Sequence, residues 1–494
     1  MDIALTLEYK PGVPLYRQLA EALKECILSG RLKPGEFLPS TRDMAKMLGA
    51  SRVTVVRSYE ELVSQGFLIA ATGRGTCVAR RLPEEAQRVA MQMHVHHDLL
   101  PERKLVLSKF GKRLMQQGCV RSGSADLPEL NYGAPPSEHL PVTKWREMLL
   151  RYSRGVNDHA EVFEDEDPMG YRPLRDAIAS YLSRARGVKC RAEQVAVFSG
   201  AQHALNLIAR LLIDEGDSVV VENPGFPQAR EQFALNGAEV IPVAVDECGL
   251  QVNELRELND CKAAYVTPSH QDPTGAVLPL ERRTDLLRWA RKTGAFIIED
   301  DFDSEYRYGG KAVPALQGLD ESESVIYLST FWKVLFPLLP VGYLVVPHCL
   351  IPCVARAKLL TERTFPLLEQ LALTDFIQEG HLERHIRRSR DVYAKRRQAL
   401  IFALTTNFGK ALFISKESAG MHVLVRFATT LSDDELLACA VKAEVPMVST
   451  SDYYVDGERQ GEFMIGFAAV DGEIIAEKVA ALANLIKDGE QVAV

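Results

Sequence analysis

The 494-residue sequence has no CxxC pair and no surplus of positive charge, and it lacks any uninterrupted apolar run of about 18 residues. Each absence excludes something. The nine cysteines, at 26, 77, 119, 190, 248, 261, 349, 353 and 439, are odd in number and scattered, so reduced, buried or incidental thiols are expected rather than a disulfide framework. With no membrane-length run, and with MDIALTLEYK placing acids ahead of any apolar segment, the expectation is a soluble cytoplasmic protein without span or signal peptide. Zinc patterns are missing too. His94, His96 and His97 lack a ligand-spaced partner, and His381 and His385 flank Glu383 in an order other than HExxH, so they read as linker and helix-face residues. The formal charge of −8, from 58 Lys+Arg against 66 Asp+Glu, weighs against a chain coated for nucleic acid. What is present is an ordinary globular balance, 47% apolar and 25% charged, in a length that predicts two to four domains.

The charge is unevenly placed. Residues 1–80 carry 11 Lys+Arg and 8 Asp+Glu, a local +3, which leaves −11 for the remainder. That asymmetry points to a small basic module on a larger acidic body. In the module, PLYRQLAEALKECILS spaces Leu15, Leu19, Leu23, Cys26 and Ile27 as a helix that Gly30 ends. Ser40 then caps STRDMAKMLG, with Asp43 three residues on as an acidic form of the capping box and Gly49 as the stop. After Ser51, RVTVVRSYEELVSQG predicts a third helix, with Val53, Val56, Tyr59 and Leu62/Val63 on its apolar face and Arg52, Thr54 and Arg57 pointing elsewhere. FLIAATGRGTCVA adds a hairpin with a basic tip at Thr72-Gly73-Arg74-Gly75. Three helices and a basic hairpin describe a winged helix-turn-helix, whose third helix suits the DNA major groove and whose wing suits the backbone or minor groove.

Residues 81–128 show no sustained periodicity and read as a linker. From 129 onward strands and helices alternate through VAVFS, SVVVE, EVIPV, AAYVTP, FIIEDD, VIYLST and GYLVVP, which predicts a mostly parallel α/β sheet covered on both faces. Ligands of such sheets gather at the carboxyl ends of the strands, where Ser199, Asn223, Ser269, Asp300 and Thr330 fall.

Two resemblances sharpen this reading. PLYRQLAEALKECILSG through GRGTCVA resembles the DNA-binding domain of the GntR family, which implies that Ser40, Arg42, Ser51, Arg52, Thr54, Arg57, Arg74 and Gly75 serve double-stranded operator DNA. GYRPLRDAIASYLSRARGV, SGAQHAL, VENPGF, TPSHQDPTG, IIEDDFDSE and STFWKVLFP, in that order over some 350 residues, resemble fold-type I pyridoxal-phosphate enzymes of the aspartate aminotransferase class. Together they resemble the MocR subfamily of GntR regulators. The implied chain is multidomain: an α+β winged helix-turn-helix at 1–80, a linker at 81–128, and an α/β aminotransferase-like body at 129–494. Within that body the large subdomain covers about 129–370 and a smaller α+β subdomain about 371–494.

By the same resemblance Lys333 is the Schiff-base lysine, Asp300 the partner of the pyridine nitrogen and Phe226 the stacking ring, while Gly200, Ala201, Gln202 and Thr330 cradle the phosphate. Three positions depart from the family pattern: Phe302 for a tyrosine, Trp332 for a serine and Pro340 for an arginine. Asp272 adds an acid in HQDPTG, and Met464 stands where a substrate-binding arginine is expected. These departures argue against transamination. The resemblance implies a head-to-tail homodimer off the membrane that responds to a small effector. A cofactor-free scaffold and a working aminotransferase with a vestigial head are the alternatives.

Overall fold

Leu19, Leu23, Cys26 and Ile27 recur at helical spacing and are all buried, which fixes α1 (Leu15–Leu28) on the core of the N-terminal unit. The structure is a computed structural model that describes residues 12–71, 75–82, 106–116, 135–154, 167–309, 313–362, 366–415, 419–455 and 459–492. The chain divides into two compact units, Met1–Val106 and Leu107–Val494.

In the first unit, α2 (Thr41–Leu48) opens as the sequence dictates. The Ser40 hydroxyl accepts the Asp43 N–H at 3.2 Å and donates to the Asp43 carboxylate at 2.6 Å, and Gly49 closes the helix in the left-handed region at φ 60°. α3 (Arg52–Ser64) buries Tyr59 and Leu62 of the expected face but turns Val55 rather than Val53 to the core. Val55, Tyr59 and Leu62 face the core, whereas Val53 is 64% exposed and Val63 is exposed as well. The run Val-Thr-Val-Val offers apolar groups in more than one direction, and tertiary contacts select among them. Ser58, fully buried, donates to the Tyr16 carbonyl at 2.7 Å and ties α3 to α1. β1 (Leu68–Ala71) and β2 (Gly75–Val78) pair antiparallel, from Leu68 opposite Val78 to Ala71 opposite Gly75, and Phe37 adds a bridge to Cys77. Thr72, Gly73 and Arg74 lie outside the described residues, as do His94, His96, His97 and Cys119.

The second unit begins with α4 (Lys109–Gln116), a helix within the stretch expected as linker, whose Lys109 and Arg113 both bond Glu215. α5 (Val142–Arg154) and α6 (Arg172–Arg186) follow, and then the central sheet. Its members in chain order are β3 (Val195–Phe198), β4 (Ser218–Asn223), β5 (Glu239–Asp246), β6 (Gly249–Leu250), β7 (Cys261–Val266), β8 (Phe296–Asp301), β9 (Val325–Thr330) and β10 (Gly342–Val345). In space they run β3-β10-β9-β8-β7-β4-β5-β6. Neighbours from β9 to β5 are parallel, and β10 runs antiparallel to both β3 and β9. Continuous apolar runs such as Val195–Phe198, buried at every position, are what a sheet covered on both faces requires.

Between strands, α7 (Ala201–Leu212), α8 (Pro227–Asn236) and α9 (Leu280–Thr293) return the chain to the next parallel strand. The short α10 (Trp332–Leu335) follows β9, and α11 (Ile351–Thr361) and α12 (Leu367–Gln378) lead to the 28-residue α13 (His381–Phe408). The remaining chain forms an antiparallel sheet of order β11 (Leu412–Ile414), β12 (His422–Phe427), β14 (Glu462–Gly466), β13 (Met447–Ser449), with α14 (Asp433–Lys442) and α15 (Gly472–Val492). This is the smaller α+β part foreseen in the sequence. Among the described residues no helix is long and apolar enough to cross a membrane.

Candidate functional site

On the N-terminal unit the site is a matter of exposure. Arg42, Arg52 and Arg57 are all exposed, and none is held by a carboxylate among the described residues. Ser40, Ser51 and Thr54 act first as structure. Ser51 accepts the Thr54 N–H at 3.1 Å, and the two hydroxyls lie 2.8 Å apart, so Ser51 fixes the start of α3 and thereby aims Arg52. Gly75 opens β2 at φ 99°, a conformation that side chains resist.

The second site lies at the carboxyl ends of β3, β4, β7, β8 and β9. Asp300, near the end of β8, is buried. Its Oδ2 accepts the Tyr265 hydroxyl at 2.5 Å, while its Oδ1 is buried with no hydrogen-bond partner among the described residues. Burial first, then the charges of Asp301, Asp272 and Asp303, push its pKa up to about 7 against the Tyr265 bond. Lys333 lies in the first turn after β9, with its ammonium 5.2 Å from the Trp332 ring centroid. Burial lowers its pKa, opposed by Asp303, Asp272 and Asp300, so the amine is eased toward the neutral form that attacks a carbonyl. Phe226 is half-buried at the start of α8, beyond β4. Gly200, at φ 138°, leads into the N-terminus of α7, where Ala201 and Gln202 supply helix-start N–H groups suited to an anion.

The departures are visible as geometry. A Cβ on Gly200 would stand 3.7 Å from the Pro340 carbonyl, so an oxygen occupies the neighbourhood of this turn. The Thr330 hydroxyl already donates to the Val341 carbonyl at 2.9 Å and accepts the Trp332 N–H at 3.0 Å. Trp332 stacks on Phe336 at 4.4 Å between centroids, and Met464 is fully buried in β14 against Leu424 and Tyr453.

Asp272 is buried, and its pKa is pushed up to about 7 by burial and then by Asp303, with Lys333 and His270 opposing. His381 and His385 belong to α13, where His381 meets Glu379 at 3.1 Å and buried His385 lies 3.0 Å from the Val334 carbonyl. Ser199 and Asn223 bond within the fold: the Ser199 N–H donates to Glu362, and Asn223 accepts the Val455 N–H.

A buried cluster beside Lys333 escaped the sequence reading. His270 Nδ1 is 2.9 Å from Asp303, and the His270 ring is 5.8 Å from that of His422 and 5.9 Å from Phe302. Burial opposes ionisation of Asp303, but His270, His422 and Lys333 together hold its carboxyl below the ordinary value. Burial, then His270, pushes His422 down to about 4. Gly420 seals the cluster at φ 75°: a Cβ there would stand 2.3 Å from His270 Cε1 and 2.7 Å from an Asp303 oxygen. The second aspartate of DFDSE and the histidine of SHQDPTG were the available signals. A further pair, Arg186 Nε to Asp301 at 2.7 Å, is buried beneath the same strand end.

Residues 126–482 match the family described as Aminotransferase class I and II, and residues 15–78 that described as Bacterial regulatory proteins, gntR family. The chain is 36% identical over 478 residues to the probable rhizopine catabolism regulatory protein MocR of Rhizobium meliloti, spanning 97% of this chain and 95% of that one. It is 32% identical to the uncharacterized HTH-type transcriptional regulator YdeL of Bacillus subtilis, over 98% of this chain and 99% of that one. Among solved structures, LysN, the alpha-aminoadipate aminotransferase of Thermus thermophilus, superposes with a TM-score of 0.68 at 28% identity, over 78% of this chain and 98% of that one. The body thus has the fold of a pyridoxal-phosphate-binding family. Both matches fall in one chain and in the expected order, and relatives share them over nearly their full length. The chain therefore belongs to the GntR family of bacterial transcription regulators, in the MocR group that joins a winged helix-turn-helix to an aminotransferase-like body.

Proposed function

We propose that this regulator grips operator DNA with Arg42, Arg52 and Arg57 and with the wing at Arg74 and Gly75, and that its body holds pyridoxal phosphate through Lys333 and Asp300. The observation that carries the cofactor reading is the buried Oδ1 of Asp300, an acceptor left open beside Tyr265 where a protonated ring nitrogen would complete it. When bound, the cofactor supplies an aldehyde that Lys333 captures. The chain's own residues would do the rest. Asp300 would hold a proton at the ring, Phe226 would cover a face, and the N–H groups of Ala201 and Gln202 would take the phosphate. Pro340 in place of a cation supports weak holding, since a charge-assisted hydrogen bond contributes about 1.5 to 3 kcal/mol.

A small amino compound is the proposed effector. It regulates only insofar as it binds one arrangement of the protein better than another. A head-to-tail homodimer in the cytoplasm, carrying two heads, would require a two-part operator spaced by helical turns. Gel shift on the protein's own upstream region, with and without the cofactor, tests the reading, together with the visible spectrum of wild type and Lys333→Ala. A specific shift at moderate salt and a visible band lost in the variant are expected. No shift removes the DNA half. No band with excess cofactor removes the other half and leaves a regulator with a cofactor-free body, the second reading that Phe302, Trp332 and the engaged Thr330 hydroxyl support.

A further inference from the structure

A cleft of about 480 Å³ opens among α6, the segment after β8 and the first half of α13, and neither Lys333 nor Asp300 lines it. Its walls are rich in guanidinium groups, and these are not equivalent. Arg186 is fully engaged: it bonds Asp301 and Ser269 and donates to the Val313 carbonyl. Arg390 gives Nε and Nη2 to the Glu305 carbonyl at 3.0 and 2.7 Å, which satisfies donors without neutralising charge. Among the described residues, the buried Nε of Arg307 has no hydrogen-bond partner, and Arg387, exposed one turn before Arg390, has no ion pair. On the acidic side, Glu383 is drawn to Arg184 at 2.9 Å. Glu305 accepts the Tyr181 hydroxyl at 3.3 Å and has its pKa pushed up to about 7, mainly by burial, so it opposes the cations weakly at neutral pH.

Three guanidinium groups thus face one cavity with no carboxylate bound to them among the described residues. Arginine forks match carboxylate and phosphate geometry, and a buried charged donor left unpaired is a costly thing to retain. We propose that this cleft binds a small oxyanion, a carboxylate or phosphate compound, through Arg307, Arg387 and Arg390. The site is separate from the cofactor residues yet touches them electrically. His270 forms part of the cleft wall and bonds Asp303, whose charge acts on Lys333. An anion here would act on the His270–Asp303 pair from behind. The proposal does not depend on cofactor binding.

The test uses the full chain in Tris chloride, with inorganic phosphate and succinate as probes and sodium chloride at matched ionic strength as the control. Melting temperature and equilibrium dialysis are the readouts. A saturable stabilisation by at least one probe is expected, unchanged in Lys333→Ala and in Arg52→Ala, and weakened about tenfold or more in Arg307→Gln and in Arg387→Glu. The second substitution lies on an exposed helical face, so folding is not at stake. Preference for phosphate or for succinate tells which kind of oxyanion the arginines suit, and either supports the site. No saturation beyond chloride overturns it. So does binding that survives both substitutions, is lost in Lys333→Ala, which would place the anion at the cofactor residues, or is lost in Arg52→Ala, which would place it on the head.

Discussion

The two units of this chain handle charge in opposite ways. In the first, arginines project from helix starts into solvent, aimed by serine caps and left without a carboxylate among the described residues. In the second, acids are buried at one end of the sheet, with Glu222, Asp272, Glu299, Asp300 and Glu305 each pushed up from the ordinary carboxyl range to about 7, chiefly by burial. Exposed like charges cost a fold little and wait for a polyanion, whereas buried ones must be paired or neutralised internally. A net charge of −8 conceals this division, because it averages a reader of DNA with a body whose electrostatics are turned inward.

The sharpest way to break the comparison is to damage the inward network alone. Asp301→Ala strands buried Arg186, and removing one partner of such a pair costs about 3 to 5 kcal/mol. Calorimetry is expected to show the body's transition displaced downward while operator affinity at low temperature holds. A matched loss of DNA binding would mean that the units share their stability. The converse substitution, Arg52→Ala, is expected to cost about 1 to 3 kcal/mol in operator affinity, roughly ten- to a hundredfold, with the unfolding transition of the body unmoved. Equal affinity for operator in a titrated gel shift would remove Arg52 from the reading face.

The smallest effect concerns pH. Asp300 has its pKa raised from 3.8 to about 7, so the folded body holds its proton more tightly than the unfolded chain does. Its contribution is complete below the ordinary carboxyl range and is lost as pH rises toward about 7. Asp300→Asn should therefore flatten the decline in stability between pH 5 and 6.5 by about 1.4 kcal/mol per pH unit. Urea unfolding at the two pH values measures it, and an unchanged slope would mean that Asp300 is ionised throughout.

Local chemistry was readable in advance and long-range pairing was not. The Ser40–Asp43 cap, the Gly49 stop and the strand from Val325 to Thr330 follow from neighbouring residues, and all are present. Tyr59 and Leu62 of α3 are buried as their spacing requires, but Val53, Val55 and Val56 satisfy more than one periodicity, and the packed core of the unit takes Val55. Arg186 and Asp301 are 115 positions apart, and His422 reaches His270 from another sheet altogether, so no spacing rule finds them. Motif resemblance singled out Lys333 and Asp300 as candidates, but the open oxygen of Asp300 and the engaged hydroxyl of Thr330 are facts of three dimensions.

Gly420 carries a last consequence. Its N–H donates to the Tyr306 carbonyl at 2.8 Å and its own carbonyl accepts the Tyr308 hydroxyl at 2.6 Å, while bare Cα faces His270 and Asp303. The joint between the two sheets of the body is therefore made without slack, backbone against ionisable side chains. Contact there is direct, with no gap between the backbone that leads into β12 and the His270 ring. Any residue but glycine at position 420 would hold the joint ajar.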